Sequence, residues 1–193
     1  MNYLAHMLLS FDDSDLITGN FLGDMISNKD VKTYPEGIRK GVFIHRQIDT
    51  FTDDHPEVLK GVRRLYGKHS KYATVLIDIF YDYILTLNWS NYSDESMQIF
   101  ADRIYSALQL NASIMPERVQ RHLQGMVEGN WLLSYANLGG IQYAIDRMKR
   151  RASKPELFDG AIESLENDLD LLNEEFNLFF PEIITYIKNQ LHG

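Results

Sequence analysis

The run YATVLIDIFYDYILTLNW, residues 72–89, constrains the fold more than any other stretch of the chain. At helical pitch it is apolar on nearly every side and contains no basic residue, so it reads as a central helix that other helices must surround. Strand-like alternation of useful length is absent elsewhere, and the five prolines fall where helices begin or end. The expectation is an all-α, single-domain multi-helix bundle over residues 1–193. Its helices are placed at roughly 2–10, 15–27, 36–51, 55–66, 72–89, 93–110, 116–127, 137–152 and 156–191, the last broken near Pro181. Asp54-His-Pro-Glu57 and Ser153-Lys-Pro-Glu156 read as helix starts with a capping side chain and a first-turn proline.

Asp78 and Asp82 sit inside the central run at i and i+4, on one face. A buried carboxylate must find a cation, donors or a proton, because leaving it unpaired costs several kcal/mol. The same spacing recurs. His45 and Asp49, with Thr52 continuing their stripe, flank the apolar stripe of Ile44, Ile48 and Phe51. Asn20 and Asp24 lie one turn apart in LITGNFLGDMI, and His6 interrupts the short apolar run NYLAHMLLSF. Asp53 and Asp54 are weaker candidates, since either can cap the next helix, and His55 is expected at an exposed first turn. Singly, each has a bland explanation, such as a satisfied core histidine or a buried ion pair. Together, four helices each place a His or Asp among core residues, which is how bundles assemble metal sites from facing helices. Imidazole and carboxylate without thiolate suit Mn²⁺, Fe²⁺ or Mg²⁺ better than structural zinc.

Composition narrows the chemistry. The absence of cysteine excludes disulfides, thiolate nucleophiles and Cys-based zinc. There is no G-x-S-x-G elbow, no phosphate-binding G-x-x-x-x-G-K-[ST] loop and no H-E-x-x-H. GNFLGD lacks the strand context of a nucleotide-binding glycine loop. No basic n-region or membrane-length apolar window is present, so a cytoplasmic protein without membrane association is the expectation. A net charge of −8 argues against nucleic-acid binding. The charge is uneven, however. Residues 58–77 hold Lys60, Arg63, Arg64, Lys68 and Lys71 with no acid, and residues 147–154 hold five more basic residues. Residues 156–182 carry nine acids and no Lys or Arg. Two concentrated basic patches on an acidic chain can receive an acidic partner.

The pieces MNYLAH, GNFLGD at 19–24, GIRKGVFIHRQIDTFTDDHPEV at 37–58, DIFYDYIL at 78–85, NWLLSY at 130–135 and GGIQYAIDRMKRR at 139–151 resemble the acyl carrier protein phosphodiesterase family. That resemblance implies a helical fold distantly similar to HD-type metal-dependent phosphohydrolases. It also implies removal of the 4′-phosphopantetheine arm from holo-acyl carrier protein, with Mn²⁺ preferred and Mg²⁺ or Fe²⁺ as alternatives. His6, Asp24, His45, Asp49, Asp78 and Asp82 occupy the family's polar motif positions. Of these, Asp24, His45 and Asp78 are assigned as metal ligands, while His6, Asp49 and Asp82 complete or orient the catalytic site. Tyr83 stands where the family pattern leads one to expect a His. The carrier protein, being acidic, is expected to dock on Lys60, Arg63, Arg64, Lys68 and Lys71, with Arg147, Lys149, Arg150 and Arg151 as the second choice. Two alternatives stay open: a related phosphohydrolase of a small phosphoester or nucleotide, and a non-catalytic helical module binding an acidic partner.

Overall fold

The computed structural model describes residues 1–192, and all regular structure among them is helical. The α-helices are α1 (Tyr3–Leu8), α2 (Ser14–Leu22), α3 (Asn28–Val31), α4 (Glu36–Asp54), α5 (Pro56–His69), α6 (Ala73–Leu87), α7 (Met97–Leu110), α8 (Glu117–Glu128), α9 (Trp131–Ser134), α10 (Leu138–Lys149) and α11 (Ala161–His192), with short 3₁₀ turns between some of them. One apolar cluster runs through the molecule from Met1 to Ile187. α6 lies within it as its composition requires, with Leu76, Ile77, Phe80, Tyr81, Ile84 and Leu85 all fully buried.

The break expected near Pro181 does not occur, and α11 continues through it. An internal proline forfeits a backbone hydrogen bond at roughly 3 kcal/mol. Phe179, Phe180, Ile183 and Ile187 are all fully buried on either side of it. Each such side chain contributes roughly 1.5–3 kcal/mol by burial, so packing outweighs the proline. The start of α5 also differs from expectation. α4 runs on through Asp54, and His55 caps α5 with its imidazole Nδ1 accepting from the Glu57 amide at 3.3 Å. His55 is buried, not exposed, because its ring packs edge-on against Phe179 and its Nε2 lies 3.2 Å from Glu182.

The contact that positions the site is between α2 and α4. A Cβ added at Gly19 would come 2.0 Å from the Ile38 carbonyl oxygen and 2.7 Å from the Gly41 Cα. The two backbones therefore touch directly, which only glycine on both sides permits. That crossing sets Asn20 and the end of α2 against the next turns of α4, where Gly41, His45 and Asp49 follow each other at four-residue intervals on one face.

Candidate metal centre

His6 comes from α1, Asn20 from α2, and His45 and Asp49 from α4. Asp24 lies just beyond α2, where Gly23 ends the helix. A Cβ at Gly23 would come 2.1 Å from the His45 ring, so this glycine makes the space the imidazole occupies. The two imidazoles stack with centroids 4.3 Å apart.

Asn20 sets their chemistry. Its Nδ2 donates to the His6 carbonyl at 2.8 Å and to Ser10 Oγ at 2.9 Å, which fixes the orientation of the amide. Its Oδ1 then faces His6 Nδ1 at 2.8 Å and His45 Nδ1 at 3.0 Å. An amide oxygen only accepts, so both Nδ1 atoms carry hydrogen, and in the neutral rings both Nε2 atoms are bare lone pairs. Those lone pairs meet oxygens. His6 Nε2 lies 3.2 Å from Asp49 Oδ1 and 3.1 Å from the Met1 carbonyl. His45 Nε2 lies 3.1 Å from both Asp24 Oδ1 and Asp49 Oδ2, yet is aligned for a hydrogen bond with neither. Lone pairs set against carboxylate oxygens repel unless a positive charge stands among them. A proton or a metal ion supplies it.

The titration behaviour agrees. Burial opposes charge on His45, but the adjacent Asp24 and Asp49 outweigh it and raise the imidazole to about 9. Burial keeps the neighbouring His6 below the ordinary value, against its bond to Asp49. Burial would raise Asp49, but the His45 and His6 imidazoles beside it hold it well below the carboxylate range, and His45 does the same for Asp24. The metal-free cluster therefore keeps ionised carboxylates around one shared positive charge. His6, His45 and Asp49 bring one ligand atom each to within 4.8 Å of one another, the spacing of a metal-binding triad. The buried unpartnered Nε2 of His45 and a donor set of imidazole and carboxylate fit a divalent ion.

The cluster opens to a pocket of ≈ 100 Å³ lined by His6, Asn20, Asp24 and His45 together with Met1, Tyr3 and Met148. Asp24 stands at its rim, with a side chain 84% exposed.

Two of the expected residues lie elsewhere. Asp78 Oδ1 is 3.0 Å from the Met1 ammonium, and Asp78 is outside the metal-capable triad. Asp82 is fully buried and accepts from the Leu4 amide at 2.8 Å and the Ala5 amide at 3.2 Å, so it anchors the start of the helix that carries His6. Burial pushes Asp82 up to about 7 against those two bonds. Tyr83 is half-buried against the core. The expected docking patch is largely spent internally. Lys60 pairs with Glu57, Arg64 with Glu175 and Lys68 with Glu163, while Lys71 Nζ bonds Ser153 Oγ at 2.8 Å. Arg63 alone of the five makes no such bond among the described residues. Asn20 is the residue whose importance exceeds what its spacing with Asp24 signalled: its lone oxygen decides which nitrogen of each histidine is free.

Fold and site together define an all-helical protein with a buried histidine–carboxylate centre able to hold a divalent ion. A family model described as acyl carrier protein phosphodiesterase matches residues 1–183, and the chain belongs to that family. Relatives named acyl carrier protein phosphodiesterase include one from Enterobacter sp. (strain 638), 26% identical over 98% of this chain and 99% of its own length. Others are from Photorhabdus laumondii, 27% identical over 98% of this chain and 96% of its own, and from Pectobacterium atrosepticum, 28% identical over 98% and 99%. No solved structure matches, and neither the family model nor the relatives bear on the expected likeness to HD-type phosphohydrolases. No helix among the described residues is long and apolar enough to cross a membrane.

Proposed function

We propose that this protein is a metal-dependent phosphodiesterase that hydrolyses holo-acyl carrier protein to apo-acyl carrier protein and 4′-phosphopantetheine. Membership of the family supports the substrate, and the two Nε2 atoms held among oxygens by Asn20 carry the metal dependence. His6, His45 and Asp49 would hold the ion, with Asp24 adding a carboxylate from the rim. When bound, the ion supplies Lewis acidity that offsets charge on phosphoryl oxygens and acidifies water.

The chain's own groups have distinct tasks. Asn20 locks both imidazoles in the ligating tautomer, as outer groups of metal sites commonly do. Asp49 spans the pair, one oxygen toward each ring. Asp82 fixes α1, and through it His6. Asp24, held ionised by His45 and exposed at the mouth, keeps a negative charge facing the ion. Overall, a water oxygen bonds to phosphorus, the bond from phosphorus to the seryl oxygen breaks, and that oxygen leaves with a proton. The ligand set differs from the sequence-based assignment by exchanging Asp78 for His6 and Asp49.

The test is incubation with holo-acyl carrier protein and Mn²⁺, followed by intact-mass analysis. Loss of the phosphopantetheine mass that stops with chelator, and that labels only the small product in ¹⁸O-water, supports the proposal. An unchanged carrier protein, with a small phosphoester cleaved instead, would replace it with the small-substrate alternative.

A further inference from the structure

Beside the metal pocket lies a second cavity of ≈ 70 Å³, lined by Asn2, Tyr3, His122, Tyr135, Arg147 and Arg151 among others. Asn2, Tyr3 and Met148 line both, so the two cavities share a wall. A water needs roughly 10–15 Å³ of such space, so this one has room for a group of several heavy atoms. It is lined by two guanidinium groups and by no carboxylate, in a protein of net charge −8.

Arg147 differs from the arginines that α5 contributes. Its guanidinium lies 3.4 Å over the Trp131 ring, which holds it flat and half-buried. Burial lowers its pKa, and the other groups acting on its charge are Tyr3, Tyr135, Tyr143 and Arg151, with no acid among them. A half-buried arginine with no paired acid is only partly solvated, and an anion entering the cavity would complete its hydrogen bonding. Neutral donors stand beside it. Burial raises Tyr135 well above the usual phenol range, so it remains an O–H donor. Tyr3, raised by burial to about 12, keeps its O–H and hydrogen-bonds His122 Nε2 at 2.7 Å. Burial, with Arg147 and Arg151 nearby, keeps His122 below the ordinary value and so neutral.

We propose that this cavity is a phosphate subsite, in which Arg147 and Arg151, with Tyr135 as a neutral donor, receive the phosphoryl oxygens of a phosphoester placed against the His6–His45–Asp49 centre. The link to catalysis rests on the function proposed above, but binding itself does not. Arginine is suited to the task because its planar fork matches phosphate geometry.

The experiment uses inorganic phosphate and chelator-treated protein, so neither metal nor activity enters. Tryptophan fluorescence follows the titration, since Trp131 carries the Arg147 stack. Wild type should show a saturable change. Arg151→Met, at an exposed position, and Arg147→Met should each weaken phosphate by about tenfold or more with unchanged helicity, as expected for losing a charge-assisted bond. Unchanged affinity in both variants, or no saturable binding by wild type, would overturn the subsite. So would an outcome in which the variants lose affinity for apo-carrier protein but not for phosphate, since the arginines would then meet protein carboxylates. A protein that binds phosphate through Arg151 yet leaves holo-carrier protein intact keeps the subsite and loses the proposed substrate.

Discussion

His45 and Asp49 on α4 and Asp78 and Asp82 on α6 are written into the sequence with the same four-residue spacing, and they end in opposite surroundings. α6 meets the start of α1, whose backbone amides are donors, and Asp82 is satisfied by two of them. α4 meets Asn20 of α2, whose Oδ1 is an acceptor and takes the Nδ1–H of both histidines. Acceptor groups covered by donors are finished as structure. Imidazoles pinned from behind by an acceptor turn their other nitrogen toward carboxylates and need a cation. The spacing names a face of a helix; what packs over that face decides its task.

The largest effect is expected on the α4 side. His45→Ala should weaken Mn²⁺ binding by ~100-fold or more, exceeding the loss typical of outer groups, with little change in helicity. Calorimetric titration checks this, and retention of wild-type affinity would erase the contrast between the helices.

Proton competition gives the next test. With His45 at about 9, a metal ion must displace its proton throughout the neutral range. Apparent Mn²⁺ affinity should therefore rise by about tenfold per pH unit between pH 6 and 8. The metal-free fold responds too. His45 titrates higher folded than its ordinary 6.5, so its stabilisation is complete below 6.5 and is lost as pH rises through 9. Asp82, raised from 3.8 to about 7, also makes the folded state hold an extra proton, and stability from it falls between those values. Thermal melts in chelator should drop as pH rises from 6.5 to 9; a rising melting temperature would reverse the assigned signs.

Asn20→Ala leaves every ligand in place and removes only the shared acceptor, so it should cost ~10–100-fold in metal affinity. An unaltered affinity would mean the tautomers are set elsewhere. On the α6 side, Asp82→Ala should instead lower stability by roughly 1–3 kcal/mol for each amide left unsatisfied. Denaturant unfolding reads that loss, and its absence would return Asp82 to the catalytic group. Smallest of all, Tyr83→Phe should slow turnover by less than about tenfold, under about 1.4 kcal/mol, since Tyr83 packs against the core.

The residues explain why parts of this were visible in sequence and parts were not. Helices announce themselves through the period of their apolar residues, so the all-α architecture and the central place of α6 are legible. His6, Asp24, His45 and Asp49 stand out because polar groups in apolar stripes are costly and infrequent. Their convergence depends on Gly19 and Gly23, each followed directly by a polar residue of the site, and on Gly41, His45 and Asp49 at four-residue intervals on α4. Asp78 and Asp82 could not be separated from them, because their partners are a terminal ammonium and backbone amides, which no side-chain pattern records. Lys60 pairs with Glu57 one turn back on its own helix, whereas Arg64 and Lys68 read as free charge because their partners Glu175 and Glu163 are brought by helix packing from far along the chain on α11. Arg147 stays without such a partner for the same reason: only the fold shows that Trp131, not an acid, lies beneath it.

The most direct measurement sets isosteric changes on the two helices side by side, titrating Mn²⁺ into Asp49→Asn and Asp78→Asn. Both substitutions remove one charge and keep the side-chain shape. The account predicts that Asp49→Asn loses ~100-fold or more in affinity while Asp78→Asn binds as the unaltered protein does. Equal losses, or a larger loss in Asp78→Asn, would contradict it and place the metal on α6.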